Sequence, residues 1–244
     1  IDVPGLAALT PNSTRTFQVL DDLDGDTYTT VTARLRFLGE DVALYVDEDT
    51  PPGGLTQAQI DGLGRLFDRK LYPAVVSAFG SETDIDANDR TIVLMSPVVN
   101  RLTTAAECAQ VGYVTGFFYG LDLLESQRNS NKGEIFYALV PDPQARTGSC
   151  AHSVQEVLQI VPATFVHEFQ HMISWGQKVL VRRSPVDEAL WLNEGLSHMA
   201  EEVASMIYER ECEGVFAPPC RSNANPMEQV FPDSAQGFIG GNIS

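Results

Sequence analysis

Hydrophobic and polar residues alternate most regularly near the start of the chain. Over Thr30–Phe37, Val31, Ala33, Leu35 and Phe37 fall on one face and polar residues on the other, the period of a half-buried strand. Asp24-Gly25 marks the turn before it, and Asp41–Asp47 offers another strand, so residues 1–50 form a β-rich region, read as a small module packed on the rest. The pattern then lengthens. Thr56 is a good N-cap for a helix running to about Phe79 and interrupted near Pro73. Arg90–Val98 holds a continuous apolar run, as expected of a strand buried on both faces. Gly112–Gly120 and Gly133–Val140 are further strand candidates, separated by the polar stretch Gln127–Lys132. A helix is expected with Pro162 in its first turn and Gly176 near its end. Ser184-Pro185 opens the next, with Asp187 in its first turn and apolar residues recurring to about Tyr208. The tail from Pro218 to Ser244, rich in Pro, Gly and Asn, reads as loop.

Two short stretches carry the chemistry. His167-Glu168-Phe169-Gln170-His171 is an H-E-x-x-H sequence, and Trp191-Leu192-Asn193-Glu194-Gly195 follows it. On a helix, His167 and His171 are about 40° apart in azimuth and roughly 6 Å apart along the axis, so both rings can converge on one ion. Glu168 is turned about 100° from His167, poorly placed to share the ion but able to reach a water beside it. Adding Glu194 gives a His₂Glu set that leaves a tetrahedral ion one open position, the pattern of a catalytic zinc with Glu168 as general base. Structural zinc sites are closed instead, usually by cysteines.

HEFQHMI followed by WLNEGLSHMAEE resembles the gluzincins, whose third ligand is a glutamate on a second helix carrying N-E. W-L-N-E-G is similar to the gluzincin aminopeptidases, but their G-x-M-E-N motif is absent: Pro226-Met227-Glu228-Gln229 does not match and lies on the wrong side of the zinc motif. The chain more closely resembles the hyicolysin-type neutral metallopeptidases over roughly residues 60–205. That likeness rests on HEFQHMI and Asn193-Glu194-Gly195-Leu196-Ser197, and on Tyr72-Pro73 through Asp84-Ile85-Asp86. It implies a zincin-like α+β fold in residues 51–244. A mixed sheet with backing helices would form the upper lobe at 51–176, floored by the H-E-x-x-H helix. A smaller helical part, 177–244, would lie below. By analogy, the last strand before the active-site helix would be the sheet edge, making Phe136-Tyr137-Ala138 candidates to pair with an extended peptide.

On the helix of Glu194, His198 is one turn along and Glu201 two, with Glu201 only about 20° off in azimuth. Either is placed to accept the second ring N–H of a zinc-bound histidine and fix its tautomer. The family resemblance also implies a tyrosine or histidine that holds the developing oxyanion. Tyr208, about 21 Å along the helix from Glu194, is too distant, leaving Tyr113, Tyr119 or Tyr137 from the upper lobe or, as the alternative, a residue of a natural chain that continues beyond Ser244.

These features point to a secreted zinc endopeptidase acting on proteins or peptides, with an aminopeptidase or a catalytically impaired binding module as alternatives. A net charge of −17 argues against nucleic acid and anionic membranes as partners, and no run of about 18 apolar residues offers a membrane span. A monomer is expected. The chain begins at Ile1 without a methionine or a basic–apolar leader and is read as a mature form. Cys108, Cys150, Cys212 and Cys220 permit three pairings and lack metal-ligand spacing. For an extracellular enzyme the simplest choice is Cys108–Cys150 with Cys212–Cys220; four thiols in a cytosolic protein is the alternative.

Asp84-Ile85-Asp86-Ala87-Asn88 resembles the start of a Ca²⁺ loop. However, Asp89 replaces the usual glycine and Met95 the terminal glutamate, so it reads as a turn into the 90–98 strand, with calcium the alternative. Asp22-Leu23-Asp24-Gly25-Asp26 carries the same ambiguity and reads as a hairpin turn.

Overall fold

The computed structural model describes residues 9–212 apart from Asp24, Val111 and Asp187, and the side chains only as far as Met206. The expected Asp24-Gly25 turn, Asp187 in a first helical turn, the side chain of Tyr208, the Cys212–Cys220 pairing and the 218–244 loop therefore fall wholly or partly outside the described residues.

The chain adopts an α+β fold around one mixed sheet of six strands, ordered β1-β2-β3-β4-β6-β5. Strands β1 (Thr14–Leu20), β2 (Tyr28–Leu38) and β3 (Val42–Asp47) form an antiparallel meander. Along β2, Val31, Ala33 and Leu35 are buried while Thr30 and Thr32 face solvent, as the alternation predicts. The register then shifts between Leu35 and Phe37, and the Phe37 ring lies over Gly64, where any Cβ would come within 2.3 Å of it. This meander is no separate packed-on module. Strand β3 pairs in parallel with β4 (Thr91–Met95), so residues 14–47 extend the main sheet. β4 in turn pairs in parallel with β6 (Ile135–Ala138), and both strands are buried throughout, as a sheet covered on both faces requires.

The short strand β5 (Gly116–Phe118) adds antiparallel to β6 and forms the sheet edge. The expected edge role of Phe136-Tyr137-Ala138 is thus overturned, because these residues lie between β4 and β5. Close approach of β5 is possible because residue 116 is glycine: a Cβ there would be 2.5 Å from the Tyr137 carbonyl oxygen.

Helices α1 (Gln57–Leu66) and α2 (Tyr72–Phe79) are joined by a π-helical segment, Phe67–Leu71, ahead of Pro73. Thr56 caps α1 through a reciprocal capping box with Gln59. After β4 come two short helices, α3 (Pro97–Arg101) and α4 (Ala105–Gln110). Asn100 on α3 holds both backbone groups of Val140, fixing the exit of β6. A disulfide joins Cys108 on α4 to Cys150, with Cα atoms 5.8 Å apart.

Helix α5 (Val154–Trp175) begins well before Pro162. Ser153 and Glu156 form a capping box, a start signal that overrides the proline. Pro162 therefore sits inside the helix, where it supplies no N–H to the Leu158 carbonyl. Val157, Val161, Phe165, Phe169 and Ile173 recur every four residues and are all 2% exposed or less, forming the stripe that faces the sheet. Phe165 stacks on Phe67 and Phe169 and meets Phe136 of β6 edge-on. Tyr137, the next residue of β6, points to the opposite face, where its hydroxyl bonds the buried Asp122. Beyond a second π-helical segment, Gly176–Val181, helix α6 (Leu190–Cys212) crosses α5. It starts later than Ser184-Pro185 because the Ser184 hydroxyl bonds the backbone of Val186 in a local turn that competes with helix.

Candidate metal centre

With the apolar stripe of α5 turned to the sheet, His167, Glu168 and His171 face the groove between α5, α6 and β5. Among the described residues these three offer donor atoms all within 4.8 Å of one another. Helix α6 brings a carboxylate to the same spot: Glu194 oxygens lie 3.3 Å from His167 Nε2 and 3.7 Å from His171 Nε2.

The other nitrogen of each ring is already engaged. His167 Nδ1 is 2.6 Å from Glu201 Oε1, and His171 Nδ1 is 3.0 Å from Asn193 Oδ1. Carboxylate and amide oxygens accept, so each Nδ1 carries the proton and each Nε2 presents a lone pair. With both rings neutral, two lone pairs and a carboxylate converge on one point, an arrangement that a metal cation satisfies. Ligands about 2.0–2.1 Å from a tetrahedral ion are separated by roughly 3.3–3.4 Å, close to the spacing of Glu194 from the rings. The donor set fits zinc.

Small residues let α6 approach closely. Ser197, Ala200 and Ala204 are nearly or fully buried at the contact with α5, and Glu194, Ser197 and Glu201 share that face. The Ser197 hydroxyl donates to Gln170 Oε1 at 2.8 Å and lies 3.0 Å from His171 Nδ1. His198 Nδ1 lies 3.2 Å from Glu201 Oε1, with its ring 5.1 Å from that of His167. Thus Glu201 touches both histidines, and His198, His167 and Glu201 form a second donor group within 4.8 Å. Asn193 and Ser197 escaped the sequence reading. Both flank Glu194 in W-L-N-E-G-L-S, but only the helix crossing shows that they reach His171.

Burial pushes Glu168 up to about 7, opposed by the charge of His167 and a hydrogen bond from the Phe118 backbone N–H at 3.0 Å. Burial also works against a charged His167, but the Glu201 hydrogen bond and the charges of Glu168, Glu201 and Glu194 outweigh it, and its pKa rises. That of His171 falls through burial and the charge of His167. Glu168 lines clefts on both sides of the site. One, about 380 Å³, is bounded by Phe118, His171, Trp175 and Lys178; the other, about 320 Å³, by Thr115, Thr164, His167 and Glu201.

Among the described residues no tyrosine lines either cleft. The Tyr113 hydroxyl donates to Glu156, Tyr119 is hydrogen-bonded to Tyr28 at 2.7 Å, and Tyr137 is buried against Asp122. The upper-lobe tyrosines weighed as oxyanion donors are therefore committed elsewhere. Asp84 and Asp86 lie in the irregular segment and turn that lead into β4.

No helix among the described residues is long and apolar enough to cross a membrane. No family model matches the chain. Over 171 residues, 70% of its length, the chain is 27% identical to the neutral metalloprotease ShpI of Staphylococcus hyicus, and the match spans 36% of that protein's own length. This distant similarity, together with the convergent histidine and glutamate donors, supports a metallopeptidase relationship.

Proposed function

We propose that the protein is a secreted zinc endopeptidase of the gluzincin, hyicolysin-like kind, with His167, His171 and Glu194 as ligands and Glu168 as general base. The observation that carries this reading is the convergence of both Nε2 atoms on the Glu194 carboxylate, with each Nδ1 held by α6. Zinc bound there supplies a Lewis acid that polarises the scissile carbonyl and makes water acidic enough to lose a proton near neutral pH. Glu168 takes that proton and passes it to the leaving amine, its carboxylate held beside the site by the Phe118 N–H. Glu201 and Asn193 keep the rings in the metal-binding tautomer. Among the described residues no strand pairs with the outer side of β5, which would offer its remaining backbone groups to an extended peptide, and the tie between Phe118 and Glu168 sets that edge beside the base. The Cys108–Cys150 disulfide supports an oxidising, extracellular setting.

The test combines metal analysis with hydrolysis of casein and aminoacyl chromophores, with and without a chelator. We expect about one zinc per chain and chelator-sensitive cleavage of casein but not of the aminoacyl substrates. Glu168→Gln retains zinc and loses roughly 10²–10⁴-fold in rate. Cleavage confined to aminoacyl substrates would make the protein an aminopeptidase. Zinc without cleavage would make it a binding module, a reading favoured by the lack of a cleft-lining tyrosine among the described residues. No zinc after reconstitution would remove both enzyme readings.

A further inference from the structure

A third group of donors, apart from the histidines, lies where strands β4 and β6 begin. Asp84 and Asp86, in the turn before β4, and Glu134, immediately before β6, each place one carboxylate oxygen within 4.8 Å of the others. Glu134 is 1% exposed and Asp86 7%. The Glu134 Oε1 atom accepts from the Thr83 hydroxyl at 2.7 Å and the Ile85 N–H at 3.1 Å. Its Oε2 atom is buried and accepts no hydrogen bond from the described residues. Beside it, Asn88 donates through Nδ2 to Asp86 Oδ2 at 2.7 Å, while Asn88 Oδ1 is likewise buried without a donor. The main chain closes tightly here: a Cβ on Gly133 would come within 2.9 Å of Asp86 Oδ2.

Three acidic side chains face each other, yet the ion pair recorded among them is a long contact of Arg15 with Asp86, at 3.9 Å. Burial pushes Glu134 up to about 7 and raises Asp86. Two unpartnered buried oxygens and surplus negative charge are costly unless a cation completes the cluster. All the donors are oxygen, the preference of a hard divalent ion rather than of zinc. A buried set of protein oxygens suits calcium, because magnesium sheds its own waters reluctantly.

We propose that Asp84, Asp86 and Glu134, with Asn88 Oδ1, bind a divalent cation, Ca²⁺ in preference to Mg²⁺, at a site distinct from the histidine centre. The EF-hand reading of Asp84–Asn88 fails in sequence because its closing glutamate is missing; the tertiary structure supplies Glu134 instead. The ion ties the turn before β4 to the start of β6. It also steadies Thr83, which bonds Glu134 and packs on Gly176 just beyond the active-site helix, where a Cβ would approach Thr83 Cγ2 to 3.2 Å. Its role is to brace the end of that helix without entering the chemistry.

The experiment uses the full zinc-loaded chain, freed of loose metal on a chelating resin, then titrated with CaCl₂ or MgCl₂ and followed by melting temperature. Terbium luminescence provides a second, direct readout. Ca²⁺ at about 100-fold above its Kd is expected to raise the Tm by about 5 °C or more. Asp86→Asn and Glu134→Gln abolish the shift and the luminescence. Asp84→Asn, which keeps the acceptor used by the Asn88 and Asp89 N–H groups, folds normally and weakens Ca²⁺ at least ten-fold. Equal responses to Ca²⁺ in the parent and Asp84→Asn, or no response in the parent, would overturn the proposal. A Glu134→Gln variant that melts higher than a Ca²⁺-insensitive parent would show that Glu134 is instead a buried neutral acid.

Discussion

Helices α5 and α6 both serve the metal centre, but they are held in place by different means. On α5 the side opposite the histidines is an aromatic and aliphatic stripe sunk into the sheet and α2, with Phe165 and Phe169 fully buried. Among the described residues, the buried positions of α6 are Ser197, Ala200, Ala204 and Ser205, while Leu190, Trp191 and Met199 are 74%, 64% and 57% exposed. Helix α5 is thus anchored by apolar area, and α6 by close backbone approach plus the hydrogen bonds of Glu201, Asn193 and Ser197 to residues of α5. In this arrangement, damage to α5 is read first as lost stability, and damage to α6 first as lost metal affinity.

That contrast can be broken by substitution. The largest effect is expected of Phe165→Ala, which removes a ring packed on Phe67, Phe136 and Phe169. It should destabilise the fold by about 3–5 kcal/mol in denaturant titration, whether or not metal is bound. A cost under about 1 kcal/mol would mean that α5 is not the anchored element. Next, Glu201→Gln leaves the α6 backbone and its small-residue face intact but weakens the grip on His167 Nδ1. Metal competition should show affinity reduced by about 10–100-fold, with little change in the melting of the metal-free protein. Loss of stability without loss of affinity would reverse the assignment of roles. The smallest effect belongs to Trp191→Ser on the exposed side of α6, expected within about 0.5 kcal/mol of the parent. A drop above about 1 kcal/mol would show that another surface covers this tryptophan.

Much of the α5 side was legible in sequence, because period and caps are local. The alternation of β2 and the apolar run of β4 each report their own burial. Pro162 misplaced the start of α5 although Ser153 and Glu156, three apart, carried the stronger signal. Ser184-Pro185 misled in the same way at α6, where a side-chain turn ends before the helix begins.

By itself the sequence determined which residue types could hold a metal: H-E-x-x-H on a helix turns two rings to one side whatever the rest of the chain does. It did not determine which strand forms the sheet edge. Strand order depends on how the chain returns after α3 and α4, and only Gly116, passing close over the Tyr137 carbonyl, lets β5 take the position outside β6. Nor did spacing alone choose between Glu201 and His198, or reveal Asn193 and Ser197. Those contacts are set by the distance and angle at which α6 crosses α5, a property of small side chains meeting across an interface. Glu134 belongs with them: it lies about fifty residues beyond Asp84, and the parallel pairing of β4 with β6 is what brings the two carboxylates together.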